Sequence, residues 1–130
     1  MPHTTPQQLL HSLVGAMNRG DIDAATAHYE PNAVLVVQPG VEALGFVAIR
    51  EALSGMLAGR PQLVTLGHHV FRSGNLALCH SSWQMTIKGP DGSLIEMKGL
   101  SADVLRQQSD GTWRIAIDNP WGTAVLGAVA

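Results

Sequence analysis

Residues 76–120 read LALCHSSWQMTIKGPDGSLIEMKGLSADVLRQQSDGTWRIAIDNP, and this stretch decides the fold. Leu76 to Lys88 has strand character and stops at Gly89-Pro90-Asp91-Gly92. Leu94 to Gln107 is a second such run, stopped at Ser109-Asp110-Gly111, and Thr112 to Pro120 is a third. Asp-Gly steps between β-rich runs mark hairpins, because glycine supplies the positive φ that tight turns require. One segment upstream, Gln62 to Arg72, has the same character and ends at Ser73-Gly74-Asn75. The second half therefore predicts a four-stranded antiparallel meander.

The first half has a different period. Leu9, Leu10, Leu13, Val14 and Met17 recur at spacings of three and four, the signature of one helix face. Pro6 suits the start of that helix and Gly20 its end. Asp21 reads as the N-cap of a short second helix with Ile22, Ala25 and Tyr29 on its inner side, ended by Pro31-Asn32. Valine-rich Ala33 to Gln38 predicts a strand closed by Pro39-Gly40. Phe46, Ile49, Leu53, Met56 and Leu57 predict a third helix, stopped by Gly59-Arg60-Pro61. Helices gathered early and strands gathered late predict a single α+β domain over residues 1–130, three helices on a curved, mostly antiparallel sheet of about five strands.

Composition narrows the functions. Hydrophobic residues make up 45% of the 130 and charged residues only 14%, enough apolar material for a full core. The net charge of −2 argues against nucleic-acid binding, which needs a clustered basic excess. The longest apolar run, Ala33 to Val37, is far short of the roughly 20 residues that span a bilayer, so no membrane partner is expected. The opening Met1-Pro2-His3-Thr4-Thr5-Pro6 has no basic and apolar leader pattern, and a cytoplasmic location follows by default. One cysteine, Cys79, excludes an internal disulfide. No His or carboxylate spacing resembles a metal motif, and no glycine-rich phosphate loop is present, so neither metal nor cofactor is expected.

The layout, with Asn18-Arg19-Gly20-Asp21-Ile22-Asp23, Tyr29, Asn32-Ala33-Val34, Gln38-Pro39-Gly40, Gly45 to Glu51 and Asp110-Gly111-Thr112-Trp113-Arg114-Ile115, resembles the nuclear-transport-factor-2-like superfamily. Its SnoaL-like and ketosteroid-isomerase-like members are the most similar. The resemblance implies a cystatin-like cone, a bent sheet wrapped around helices and enclosing an apolar pocket. Members include isomerases, cyclases, dehydratases, hydrolases and non-catalytic modules, so fold leaves function open.

The steroid-isomerase pattern is incomplete here. Its carboxylate base falls on Gln38, an amide that takes no proton, and its tyrosine donor falls on Leu13. Only its protonated aspartate has a counterpart, Asp103, so ordinary steroid isomerisation is not expected. The resemblance also places Ala116 and Asp118 at pocket positions. Asp103 and Asp118 would then face each other on neighbouring strands as an acid–base pair, one pKa pushed up by the other charge. The alternatives are that Asp118 caps the turn at Asn119-Pro120 or pairs with Arg114, and that Asp103 pairs with Arg106 or Arg114.

The same alignment of faces makes Leu13, Met17, Tyr29, Gln38, Ser81, Trp83, Met85 and Trp121 the pocket lining. Of the adjacent His68 and His69 only one can face inward, and His69 is the candidate acid or base. Ala124 to Ala130 could cover the opening or a partner. The expected activity is binding or acid–base transformation of a small hydrophobic molecule by a homodimer. The competing reading is a non-catalytic ligand-binding or dimerisation module.

Overall fold

The structure, a computed structural model, describes residues 3–127. The order is α1 (Pro6–Arg19), α2 (Ile22–Thr26), β1 (Tyr29–Gln38), β2 (Val41–Leu44), α3 (Gly45–Leu57), β3 (Gln62–Ser73), β4 (Leu76–Lys88), β5 (Leu94–Gln107) and β6 (Trp113–Asp118), then a 3-10 helix (Gly122–Leu126). The α+β architecture expected from the sequence is present, with six strands in place of five.

The helix signals act as read. Thr5 caps α1 by accepting the Gln8 N–H at 3.1 Å, and Gly20 ends it in the left-handed region at φ 71°. Asp21 caps α2, its Oδ1 accepting the Ala24 N–H at 3.1 Å. Tyr29, however, is the first residue of β1 and not part of the second helix. The backbone leaves the helix at His28, whose carbonyl accepts the Ile115 N–H at 2.8 Å and starts a parallel pairing with β6. That inter-strand ladder satisfies the backbone where Pro31 would have broken a longer helix.

The extra strand is β2. Gln38 pairs with Val41, so Pro39-Gly40 is a two-residue reversal, with Gly40 at φ 86°, and not merely a strand end. The sheet runs β2-β1-β6-β5-β4-β3, antiparallel except at β1–β6. Helix α1 packs on β3 and α3 on β1, so the helices fill the concave side. Leu9, Ile49, Leu53, Leu105, Trp113 and Ile115 are buried there.

Asn18 at the end of α1 accounts for part of the Asn-Arg-Gly-Asp word. Its Oδ1 accepts the Leu63 N–H at 2.7 Å and its Nδ2 donates to the Leu63 carbonyl at 3.0 Å, tying edge strand β3 to the helix. Among the described residues no helix is long and apolar enough to cross a membrane. Of the segment expected to cover the pocket, residues 128–130 lie outside the described residues. Residues 122–126 form the 3-10 helix, which packs on β5. A Cβ at Gly122 would lie 2.4 Å from the Leu100 carbonyl oxygen, so glycine is what lets this turn approach β5.

Candidate active site

Helix α1 contributes Leu13 and Met17 to a cavity of about 130 Å³ between helices and sheet. Strand β4 contributes Ser81, Trp83 and Met85 at alternate positions, the set expected to face inward. Tyr29, Asp103, Asp118 and Trp121 also line it. Seven of the eight expected lining residues, and both expected carboxylates, are therefore brought together.

Gln38 is the exception. It is exposed at the β1–β2 turn and Val37 lines the cavity in its place. Leu35 and Val37 both line the cavity, so alternation along β1 itself turns Val37 inward and Gln38 away, against the alignment that placed Gln38 there.

A slip in register decides the face of Asp118. In β6, Ile115 pairs with Leu105 and Ile117 with the adjacent Val104, which leaves Ala116 as an extra, bulged residue. Trp113 and Ile115 are buried on the concave side, Ile117 is exposed on the convex side, and Asp118 returns to the cavity. Ala116 itself lies beside Ile117 in a shallow convex depression, contrary to the pocket position expected for it.

His69 is also corrected. Thr65 pairs with Trp83 and Gly67 with the adjacent Ser82, so Leu66 is a bulge that resets β3. His69 then lies opposite His80 on the convex side, its ring 4.6 Å from Phe71. His68 takes the concave register opposite Ser81 but is exposed, and neither histidine lines the cavity.

The polar end of the cavity is a chain of three groups. Tyr29 Oη donates to Asp118 Oδ2 at 2.5 Å. Asp118 lies beside Asp103, close enough for each carboxyl to act on the protonation of the other. Asp103 Oδ1 accepts the Asn119 N–H at 2.9 Å, leaving its second oxygen to carry a proton. Burial pushes Asp103 well above the usual carboxylate range, and the Asp118 charge adds to it. Burial also raises Asp118, but the bond from Tyr29 and the neighbouring Asp103 carboxyl favour its charged form and oppose the rise. Of the two, Asp103 therefore holds its proton the more firmly, and Asp118 is the more readily ionised partner. Tyr29 is held well above its ordinary value by burial and then by Asp118, so it remains a phenol that donates.

The arginines that could have neutralised Asp103 are elsewhere. Arg106 pairs with Glu30 on the convex side, Nε to Oε2 at 3.1 Å. Cys79, beside Asp103 across β4–β5, is a buried thiol pushed up to about 12 by burial and by the Asp103 charge, too high for a nucleophile. Among the described residues no group of three or more His, Cys, Asp or Glu could hold a metal ion.

The SnoaL-like domain profile matches residues 10–116, from the first helix into the last strand. The chain belongs to the SnoaL-like family. Solved structures agree at the level of fold. An NTF2-like superfamily protein from Salmonella enterica serovar Typhimurium superposes with a TM-score of 0.78 at 16% identity, over 94% of this chain and 93% of that one. An NTF2-like protein with a cystatin-like fold from Novosphingobium aromaticivorans gives 0.72 at 14% identity, over 85% and 75%. The Aln2 protein of a Streptomyces species gives 0.74 at 15% identity, over 87% and 84%. No curated protein matches the chain.

Within this SnoaL-like cone, Leu13 gives the cavity only apolar surface and Gln38 lies outside it, so the polar groups come from other elements. Tyr29 enters from the start of β1 and Asp118 from the end of β6. Sequence reasoning named Tyr29 as lining but did not foresee its bond to Asp118. The Tyr29–Ile115 pairing that joins the two strands is a contact between chain segments far apart in sequence. Thr65 and Ser101 also line the cavity. Ser101 was legible as a neighbour of Asp103 on one strand face, whereas Thr65 lies just before a bulge that no local signal marks.

Proposed function

We propose that this protein is a cofactor-independent acid–base enzyme acting on a small hydrophobic molecule. The observation that carries the reading is the Tyr29–Asp118–Asp103 chain at one end of an otherwise apolar cavity. Asp118, as carboxylate, accepts a proton from a carbon next to a carbonyl group. Asp103, as carboxylic acid, turns its one proton from Asp118 to the carbonyl oxygen as negative charge grows there. Asp118 then returns the proton to the same or a neighbouring carbon. No net oxidation or co-reactant is involved. Tyr29 keeps Asp118 oriented. Family membership supports the class without naming a substrate, because the fold hosts several chemistries.

The test is hydrogen–deuterium exchange into a small cyclic ketone in D2O, followed by NMR. Wild type should accelerate exchange, and Asp118→Asn should lose about 10²–10⁴-fold. Binding without any exchange would replace this reading with the non-catalytic ligand-binding module. We further take the protein as a cytoplasmic homodimer. Its single thiol suits reducing surroundings, and the convex sheet face exposes Phe71, Leu78, Leu100 and Ile117.

A further inference from the structure

We infer that the cavity admits neutral molecules built on a single six-membered ring and rejects fused ring systems, with Trp83 and Trp121 setting the limit. This rests on the reading of the cavity as a ligand site, but not on its chemistry.

Size is the first argument. A cavity of about 130 Å³ is close to the roughly 150 Å³ apolar cavity that accommodates benzene. One ring with a carbonyl or hydroxyl group fills it. A second fused ring needs the walls to move, and packed interiors yield little.

The walls that would have to move are fixed. Trp83 Nε1 donates to the Pro120 carbonyl at 2.7 Å, so the indole of β4 is tied to the segment after β6. Trp121 Nε1 donates to the Val37 carbonyl at 3.1 Å, tying that segment to β1. The two rings meet edge to face, centroids 5.7 Å apart at 79°. Beneath Trp83 lies Gly99, its partner across β4–β5, where a Cβ would sit 2.7 Å from the indole Cζ2. The missing side chain lets the indole lie flat on β5. Each tryptophan is thus held at its polar atom, and neither turns aside without losing a part-buried hydrogen bond.

Charge is the second argument. Among the described residues, no Lys, Arg or His lines the cavity, while Asp103 and Asp118 both do. An anionic ligand meets a carboxylate and no counter-charge. A neutral carbonyl or hydroxyl group finds a donor and an acceptor side by side.

Isothermal titration of the full chain with cyclohex-2-enone, a fused two-ring octalone and cyclohexanecarboxylate tests this. The enone should bind saturably, at least tenfold tighter than either other probe. Trp121→Ala should improve octalone binding at least tenfold. Met85→Ala widens the same cavity without touching either indole hydrogen bond, and should do likewise if the first variant does not fold. Equal binding of octalone and enone by wild type, tight binding of the carboxylate, or no saturable binding of the enone would each overturn the inference. Failure of the acid–base reading is separately visible, since the binding pattern then persists without proton exchange.

Discussion

Tyr29 and Asp118, at the start of β1 and the end of β6, are joined by a 2.5 Å hydrogen bond from phenol to carboxylate inside the cavity. This bond and the neighbouring Asp103 carboxyl both favour ionised Asp118 against the cost of burying it. Tyr29→Phe removes one of them. The apparent pKa of Asp118 should rise, and the acidic limb of the proton-exchange pH profile should move to higher pH. A profile unchanged from wild type would remove Tyr29 from the mechanism.

The dyad also predicts how stability depends on pH. Both carboxyls are raised above 3.8, so between that value and the raised values the folded chain binds more protons than the unfolded one. Their contribution is complete below 3.8 and is lost as pH rises through the folded pKa values. Asp103→Asn removes the ionisation while keeping an oxygen for the Asn119 N–H. Its melting temperature should fall less than that of wild type between pH 4 and pH 8, and carboxyl NMR on Asp118→Asn should show the Asp103 midpoint lowered. Parallel melting curves would contradict the raised pair.

His28 acts in the opposite direction. Its Nδ1–H donates to the Ala24 carbonyl at 2.6 Å, so Nε2 accepts the Ser12 hydroxyl proton at 2.9 Å. The Ser12 oxygen in turn accepts from His3 Nε2–H at 3.0 Å. Burial is the main cause holding folded His28 below its ordinary 6.5, so the unfolded chain takes up this proton first as pH falls. This contribution is full above 6.5 and declines below it. His28→Gln should flatten the loss of stability between pH 7 and pH 5, measured by urea unfolding at each pH. An undiminished acid slope would assign that loss to other groups.

Asn18 makes two hydrogen bonds to the backbone of Leu63. At about 0.5–1.5 kcal/mol each, Asn18→Ala should cost about 1–3 kcal/mol. Exposed Asn32→Ala is the control, expected within about 0.5 kcal/mol of wild type. Equal losses for the two variants would show that the clamp contributes nothing to stability.

Light scattering on the purified chain tests the dimer. The mass should be twice 13.8 kDa at micromolar concentration, and Phe71→Asp should shift it toward the monomer. Phe71 is 56% exposed in the single chain, so this charge disturbs an interface and not the core. A wild-type mass of 13.8 kDa would remove the dimer from the proposal.

The meander was legible almost to the residue, because Ser-Gly-Asn and the two Asp-Gly signals punctuate it locally. The observed β4 and β5 have the bounds read from sequence, Leu76–Lys88 and Leu94–Gln107. The small strand β2 was not legible. Four residues carry too little periodicity, and Pro39-Gly40 can end a strand as readily as reverse it.

Within the candidate site, alternation along a strand correctly grouped Ser81, Trp83 and Met85, since β4 pairs with β5 without a slip. Ala116 and His69 fell on the wrong face because each lies beside a break in register, whereas Gln38 was placed by resemblance against the alternation of Leu35 and Val37. A bulge inserts one residue and exchanges the faces beyond it, yet its cause lies in the neighbouring strand.

By itself the sequence determined the order of the helices and of every strand but β2, the apolar helix face and the presence of acidic residues among apolar strands. These rest on local periodicity, caps and turn residues. Only the tertiary structure decided that Asp103 and Asp118 share a cavity, that Tyr29 bonds one of them, and that His69 is turned away. Those facts depend on register between segments far apart in the chain, where one residue of slip moves a side chain to the opposite face of the sheet.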